Sequence, residues 1–213
     1  MVKKDQKCRG YLKEARPWSP GVFVLAWFFV HLGQSIPVEA VVQNPSPKQL
    51  EEALMRGAAI ARERQPPINL YAHFGRSEGF KPHGFLMTKL GGVAVLAGHF
   101  ALRGEKPSSE DIERILAEET LQIVVTVFGD TPIFARESYL LLQQGENLIK
   151  PTRIRADGRA TAIDTSSNHP TFRAKIVASF AYGTFAPEAE TVISVFPGVG
   201  GEVSFLLNFS SIP

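Results

Sequence analysis

The chain has 213 residues, 44% hydrophobic and 21% charged, with a formal net charge of +2. That balance suits a folded protein and excludes a disordered or collagen-like one. The excess positive charge sits at the front: residues 1–40 hold six Lys/Arg and three Asp/Glu, so the rest carries 17 basic and 18 acidic side chains and has no long-range attraction for nucleic acid. The single cysteine, Cys8, lies in the same stretch, which excludes disulfides, thiol catalysis and Cys-based metal centres from residue 41 onward.

The front segment reads as an address. Lys3, Lys4, Lys7, Arg9, Lys13 and Arg16 precede the apolar run Val22 to Leu32, and the small-residue site Val38-Glu39-Ala40 follows. A positive leader, a short apolar run and a V-x-A site form the layout of a secretory signal peptide over residues 1–40, cleaved after Ala40. The alternative is an uncleaved membrane anchor. It is disfavoured because a bilayer needs roughly 20 apolar residues and because His31 and the polar Gly33-Gln34-Ser35 interrupt or end the run. Trp18 and Trp27 would leave with the leader. The expected product is exported, periplasmic or extracellular, and touches a membrane only through a retained leader. A cysteine-free exported chain of this size points to a bacterial cell envelope.

Residues 41–120 read as a helical N-terminal segment with two or three helices. Ser46-Pro47-Lys48-Gln49 is a helix start, with Ser46 as cap, Pro47 at the first helical position and Gln49 completing the box. Leu50, Ala53, Leu54, Gly57 and Ala61 then recur at helical spacing as far as about residue 64, before Pro66-Pro67. Asn69 to Phe74 allows a short strand, and Gly75 to Gly84 reads as loop. Thr88 to Arg103 allows either a helix capped by Thr88 and stopped at Gly104 or a strand pair turning at a glycine; its alanines favour the helix. Ser108 to Glu119 forms another helix, with Glu110 and Asp111 complementing the dipole of its first turn.

From Leu121 the period changes to two. Leu121 to Phe128, Ser138 to Gln143, Thr152 to Ala156, Phe172 to Phe180, Glu190 to Phe196 and Val203 to Ser210 alternate or run apolar, and Gly, Pro or Asp closes each. Residues 121–213 therefore predict an antiparallel, immunoglobulin-like β-sandwich, making the whole chain α+β. In strand pattern alone this stretch is similar to exported bacterial sandwich domains, a likeness that identifies no functional residue.

The chemistry is sparse. His73, His83, His99 and His169 remain after the leader, none in an H-x-x-x-H or H-E-x-x-H pattern. His73 and His83 with Glu78 between them could supply nitrogen and oxygen ligands to a metal such as zinc. His99 reads as a packing histidine on a buried helix. No G-x-S-x-G elbow is present, although Ser77, Ser166 and Ser167 fall in loops, and Asp130 with Glu137 could form a carboxylate pair. A basic constellation is sharper. Arg153 and Arg155 share one face of a strand and Arg173 and Lys175 one face of another, opposite the apolar residues, with Lys150 and Arg159 able to extend them. If the two strands were neighbours, the four would form an anion-binding patch; otherwise they are a solvated face or a guarded sheet edge. The expectation is an exported non-catalytic binding or scaffold module, needing no cofactor, whose partner is an envelope protein or anionic envelope polymer. The alternative is an envelope hydrolase built from His73, His83 and nearby carboxylates.

Overall fold

A computed structural model describes residues 41–163 and 170–212. The expected leader, the loop residues Ser166 and Ser167, and His169 lie outside the described residues.

Local signals set the three helices. The first, α1 (Pro47–Arg62), starts where the Gln49 N–H donates to Ser46 Oγ at 3.3 Å and the Ser46 N–H donates to Gln49 Oε1 at 2.8 Å. The second, α2 (Lys89–Ala101), starts with the Gly91 N–H donating to Thr88 Oγ1 at 3.0 Å. It ends before Gly104, whose φ of +76° suits glycine. Residues 88–103 are thus a helix and not a strand pair. The third, α3 (Ser109–Leu116), carries a Ser108–Asp111 capping box but stops short of the expected Glu119, because the Glu119 carbonyl accepts the Tyr182 N–H at 3.0 Å and joins a strand ladder. Helix α1 lies directly on α2 at Gly57, where an added Cβ would strike the Ala94 carbonyl and Ala97 Cβ. Ala53, Leu90, Val93 and Ala94 form the small core between them, with Leu50, Ile112 and Ile115 packed on it.

Ten strands among the described residues make two antiparallel sheets: β1 (Ala72–Gly75), β2 (His83–Met87), β3 (Thr120–Gly129), β4 (Tyr139–Gln144), β5 (Asn147–Ile149), β6 (Arg153–Ala156), β7 (Thr161–Ala162), β8 (Phe172–Ala181), β9 (Glu190–Phe196) and β10 (Val203–Asn208). The first sheet runs β1-β2-β3-β8-β6, with β7 also paired to β8; the second runs β10-β9-β4-β5. Their facing sides share one core. Leu121, Ile123, Val125, Ile176, Ala178 and Phe180 come from the first sheet, and Leu140, Leu142, Ile193 and Val195 from the second. Phe74 of β1 meets Phe205 of β10 edge-on, with ring centroids 4.8 Å apart. Gln144, buried at the end of β4, satisfies its amide by bonding Ala186 O at 2.9 Å, Thr191 Oγ1 at 2.8 Å and the Ala186 N–H at 2.8 Å.

Several expectations change. The segment 41–120 is not purely helical: β1 and β2 belong to the first sheet, and all the described residues fall in one compact unit. Strand β3 is buried on its core side; on its other side Val124 is buried, while Gln122, Thr126 and Phe128 are half-covered. His99 is exposed and not packed in a core. It lies on the stripe Gly92–Leu96–His99 that α2 turns away from α1. No helix among the described residues is long and apolar enough to cross a membrane.

Candidate functional site

Strand parity decides which side chains stand on the outer face of the first sheet. Because β6 pairs with β8 in the register Arg153↔Ser179 and Arg155↔Val177, and alternate residues share a face, Arg153, Arg155, Arg173 and Lys175 all point outward on neighbouring strands. All four are exposed. The register arranges that face in cross-strand rows. Met87, Gln122, Ser179 and Arg153 form one, and Phe85, Val124, Val177 and Arg155 the next. His83, Thr126 and Lys175 make a third, and Phe128, Arg173 and Thr161 a fourth. Each row contributes one cation near the β6–β8 edge. With two residues between rows at about 3.3 Å each, the cations span roughly 20 Å in a line and do not form a compact cluster.

The far end of this line opens into a cavity of about 760 Å³ that brings His73, His83, Arg173 and Lys175 together with Asp157 and Ser77. The histidines stand on the same face of the β1–β2 hairpin, His73 opposite Phe85 and His83 opposite Gly75. Each ring is held by a carbonyl: His73 Nε2–H donates to Ile68 O at 3.0 Å, and His83 Nδ1–H donates to Lys81 O at 2.9 Å. Since a carbonyl only accepts, these bonds leave His73 Nδ1 and His83 Nε2 as the free ring nitrogens. Asp157 Oδ2 accepts the Lys175 backbone N–H at 2.8 Å. Aromatic rings share this face: Phe128 is the cross-strand neighbour of Arg173 and contacts Phe80 and His83 at 6.0 Å, while Tyr71 stacks on Phe85 at 5.2 Å on β2, with β3 between it and β8.

The expected metal set does not assemble as a triad. Glu78 lies in the exposed β1–β2 turn and is not among the residues lining the cavity. Among the described residues no group of three His, Cys, Asp or Glu side chains is placed to hold a metal ion. Asp130 and Glu137 are exposed residues of the β3–β4 connection and do not line this cavity. No described serine hydroxyl or carboxylate hydrogen-bonds to His73 or His83. The arrangement can attract and neutralise anions along a line, with apolar rings beside them. Asp157, Thr161, Phe85 and Phe128 complete this surface and were not singled out in the sequence. The period-two pattern of β3 alone would have placed Thr126 and Phe128 outward.

A comparison with known protein families and with curated proteins finds no match to this chain.

Proposed function

We propose that this chain is a non-catalytic binding module of the bacterial cell envelope that holds a linear anionic polymer, an acidic polysaccharide, along the outer face of its first sheet. The observation that carries this reading is the single-file placement of Arg153, Arg155, Lys175 and Arg173, one to each cross-strand row. A polymer whose charges recur along a line meets such a file at several points, whereas a small anion would use one. Arginine presents a planar fork suited to carboxylate and phosphate. The rings of Phe128 and Phe80, next to Arg173, offer flat apolar surfaces for the faces of sugar units beside that contact.

Export rests on the basic leader, the short apolar run and the V-x-A site of residues 1–40. Support for an immunoglobulin-like sandwich comes from the core shared by the two sheets and from three crossings between them, at β3–β4, β5–β6 and β8–β9. The hydrolase reading has one observation in its favour, the shared cavity of His73, His83, Ser77 and Asp157. Against it, no described serine hydroxyl or carboxylate hydrogen-bonds to either histidine, and Asp157 is engaged by the Lys175 backbone N–H, so no base–nucleophile pair is formed among the described residues.

Retention on immobilised polygalacturonate at low salt, with release as salt rises and no retention on neutral dextran, supports the reading, because exposed charges are screened over about 10 Å at 0.1 M. Equal behaviour on the two matrices contradicts it. For export, the intact mass of the protein recovered from its host should correspond to a chain starting at Val41; a mass that includes Trp18 and Trp27 would contradict processing.

A further inference from the structure

At the opposite end of the same sheet face, α2, the end of α3 and the start of β3 line a second cavity of about 300 Å³ that is open on one side. Met87, Val95, Leu96 and Ile115 give it apolar walls, and Lys89 lies among its lining residues. Lys89 is the unusual member. It is 9% exposed, yet no carboxylate among the described residues forms an ion pair with it, and Glu118 at the same cavity makes none.

Its Nζ donates to Leu116 O at 2.6 Å and lies 5.2 Å from the centroid of the Tyr182 ring. That bond ties the first residue of α2 to the last of α3 and needs only one of three N–H donors. Removing an ammonium from water is costly unless an opposite charge and further hydrogen bonds compensate it. The Leu116 carbonyl, at the negative end of α3, offsets only part of that cost, and the remaining unpaired charge favours an incoming anion.

We infer that this cavity binds a medium-chain carboxylate, its head paired with Lys89 Nζ and its alkyl chain against Met87, Val95, Leu96 and Ile115. The site is separate from the file of cations and does not depend on the polymer reading. Size agrees: a cavity of about 150 Å³ holds benzene, or about 25 Å³ per heavy atom, so about 300 Å³ takes roughly twelve heavy atoms, close to octanoate.

Calorimetric titration of the full chain with octanoate, and in parallel with octanol, tests this. Octanoate is expected to saturate one site at least about ten-fold more tightly than octanol, since a charge-assisted bond to the ammonium forms only with the acid. Lys89→Met should cost octanoate at least about ten-fold and leave octanol within about two-fold, while Leu96→Trp should fill the cavity and weaken both. The octanoate–octanol comparison on the unaltered protein stands even if a variant fails to fold. No saturable octanoate binding, equal affinity for acid and alcohol, or octanoate affinity unchanged in a folded Lys89→Met would each overturn the inference.

Discussion

Asp157 and Lys175 are joined through the backbone and not through their charges. Asp157 Oδ2 accepts the Lys175 N–H at 2.8 Å, and the Lys175 carbonyl accepts the Asp157 N–H at 3.0 Å. The carboxylate thereby extends the β6–β8 ladder past the end of β6, and it also sits beside the file of cations as the negative charge within the larger cavity. Asp157→Asn keeps an acceptor oxygen and removes that charge. Affinity for polygalacturonate should then rise about two- to five-fold at low salt, while stability changes by no more than about 0.5 kcal/mol, as for ordinary surface substitutions. A weaker variant would mean that Asp157 itself contacts the ligand.

The core makes an independent test of strand parity. Phe180 of β8 is fully buried, so Phe180→Ala should cost about 3 to 5 kcal/mol. Phe205, which the alternation of β10 marks as core, is only half-buried because β10 is the outer strand of its sheet, so Phe205→Ala should cost about half as much. Arg173→Ala should stay near zero. Chemical denaturation that ranked Arg173 above either phenylalanine would contradict the assignment of faces.

These differences mark where the sequence was informative. Helix starts were legible because capping is local: Ser46, Thr88 and Ser108 each accept a bond from a backbone N–H three residues on, so the pattern is complete within one turn. Strands β3, β8 and β9 were legible because one buried face forces a period of two. The β1–β2 hairpin was legible only in β1, where Asn69 to Phe74 allowed a strand; β2 was not seen. Its core-facing position 84 is a glycine, and a Cβ there would collide with the Val124 carbonyl and the Phe74 ring. The close packing that seats this hairpin thus removes the side chain that would have shown the alternation.

Tyr182 predicts the alkaline limit of stability. Burial pushes its hydroxyl up to about 12, from an ordinary value of 10.0, against a smaller lowering by the nearby Lys89 backbone N–H, which does not reach hydrogen-bond geometry with the buried oxygen. A folded-state value raised above the unfolded one means the neutral phenol is favoured in the fold. Its contribution is whole below about pH 10 and is lost as pH rises through about 12. Tyr182→Phe should be close to neutral in stability at pH 7, since no bond is broken. It should also unfold less readily than the parent between those pH values. An unchanged alkaline profile, read by circular dichroism, would contradict this.

The candidate site was legible in part and for a physical reason. Parity alone placed Arg153 and Arg155 on one face of their strand and Arg173 and Lys175 on one face of theirs. Pairing between those strands, which makes the four a single file, is a non-local choice that no short window contains. His73 and His83 entered as ligands of a metal. The cavity brings them together, but it does so through the register of β1 with β2, and Glu78 stays in the turn. His99 was misplaced because the buried width of α2 suggested cover on all sides, whereas one stripe of that helix remains open along the smaller cavity.

The file of cations is tested most directly by measuring polygalacturonate affinity as a function of salt for the parent and for a variant carrying Arg153→Gln, Arg155→Gln, Arg173→Gln and Lys175→Gln. All four side chains are exposed, so the variant should keep its fold and thermal midpoint. The account predicts at least about a ten-fold loss of affinity at low salt and a much shallower dependence on salt, because fewer counter-ions are released on binding. A folded variant that binds as tightly as the parent, with the same salt dependence, would contradict it.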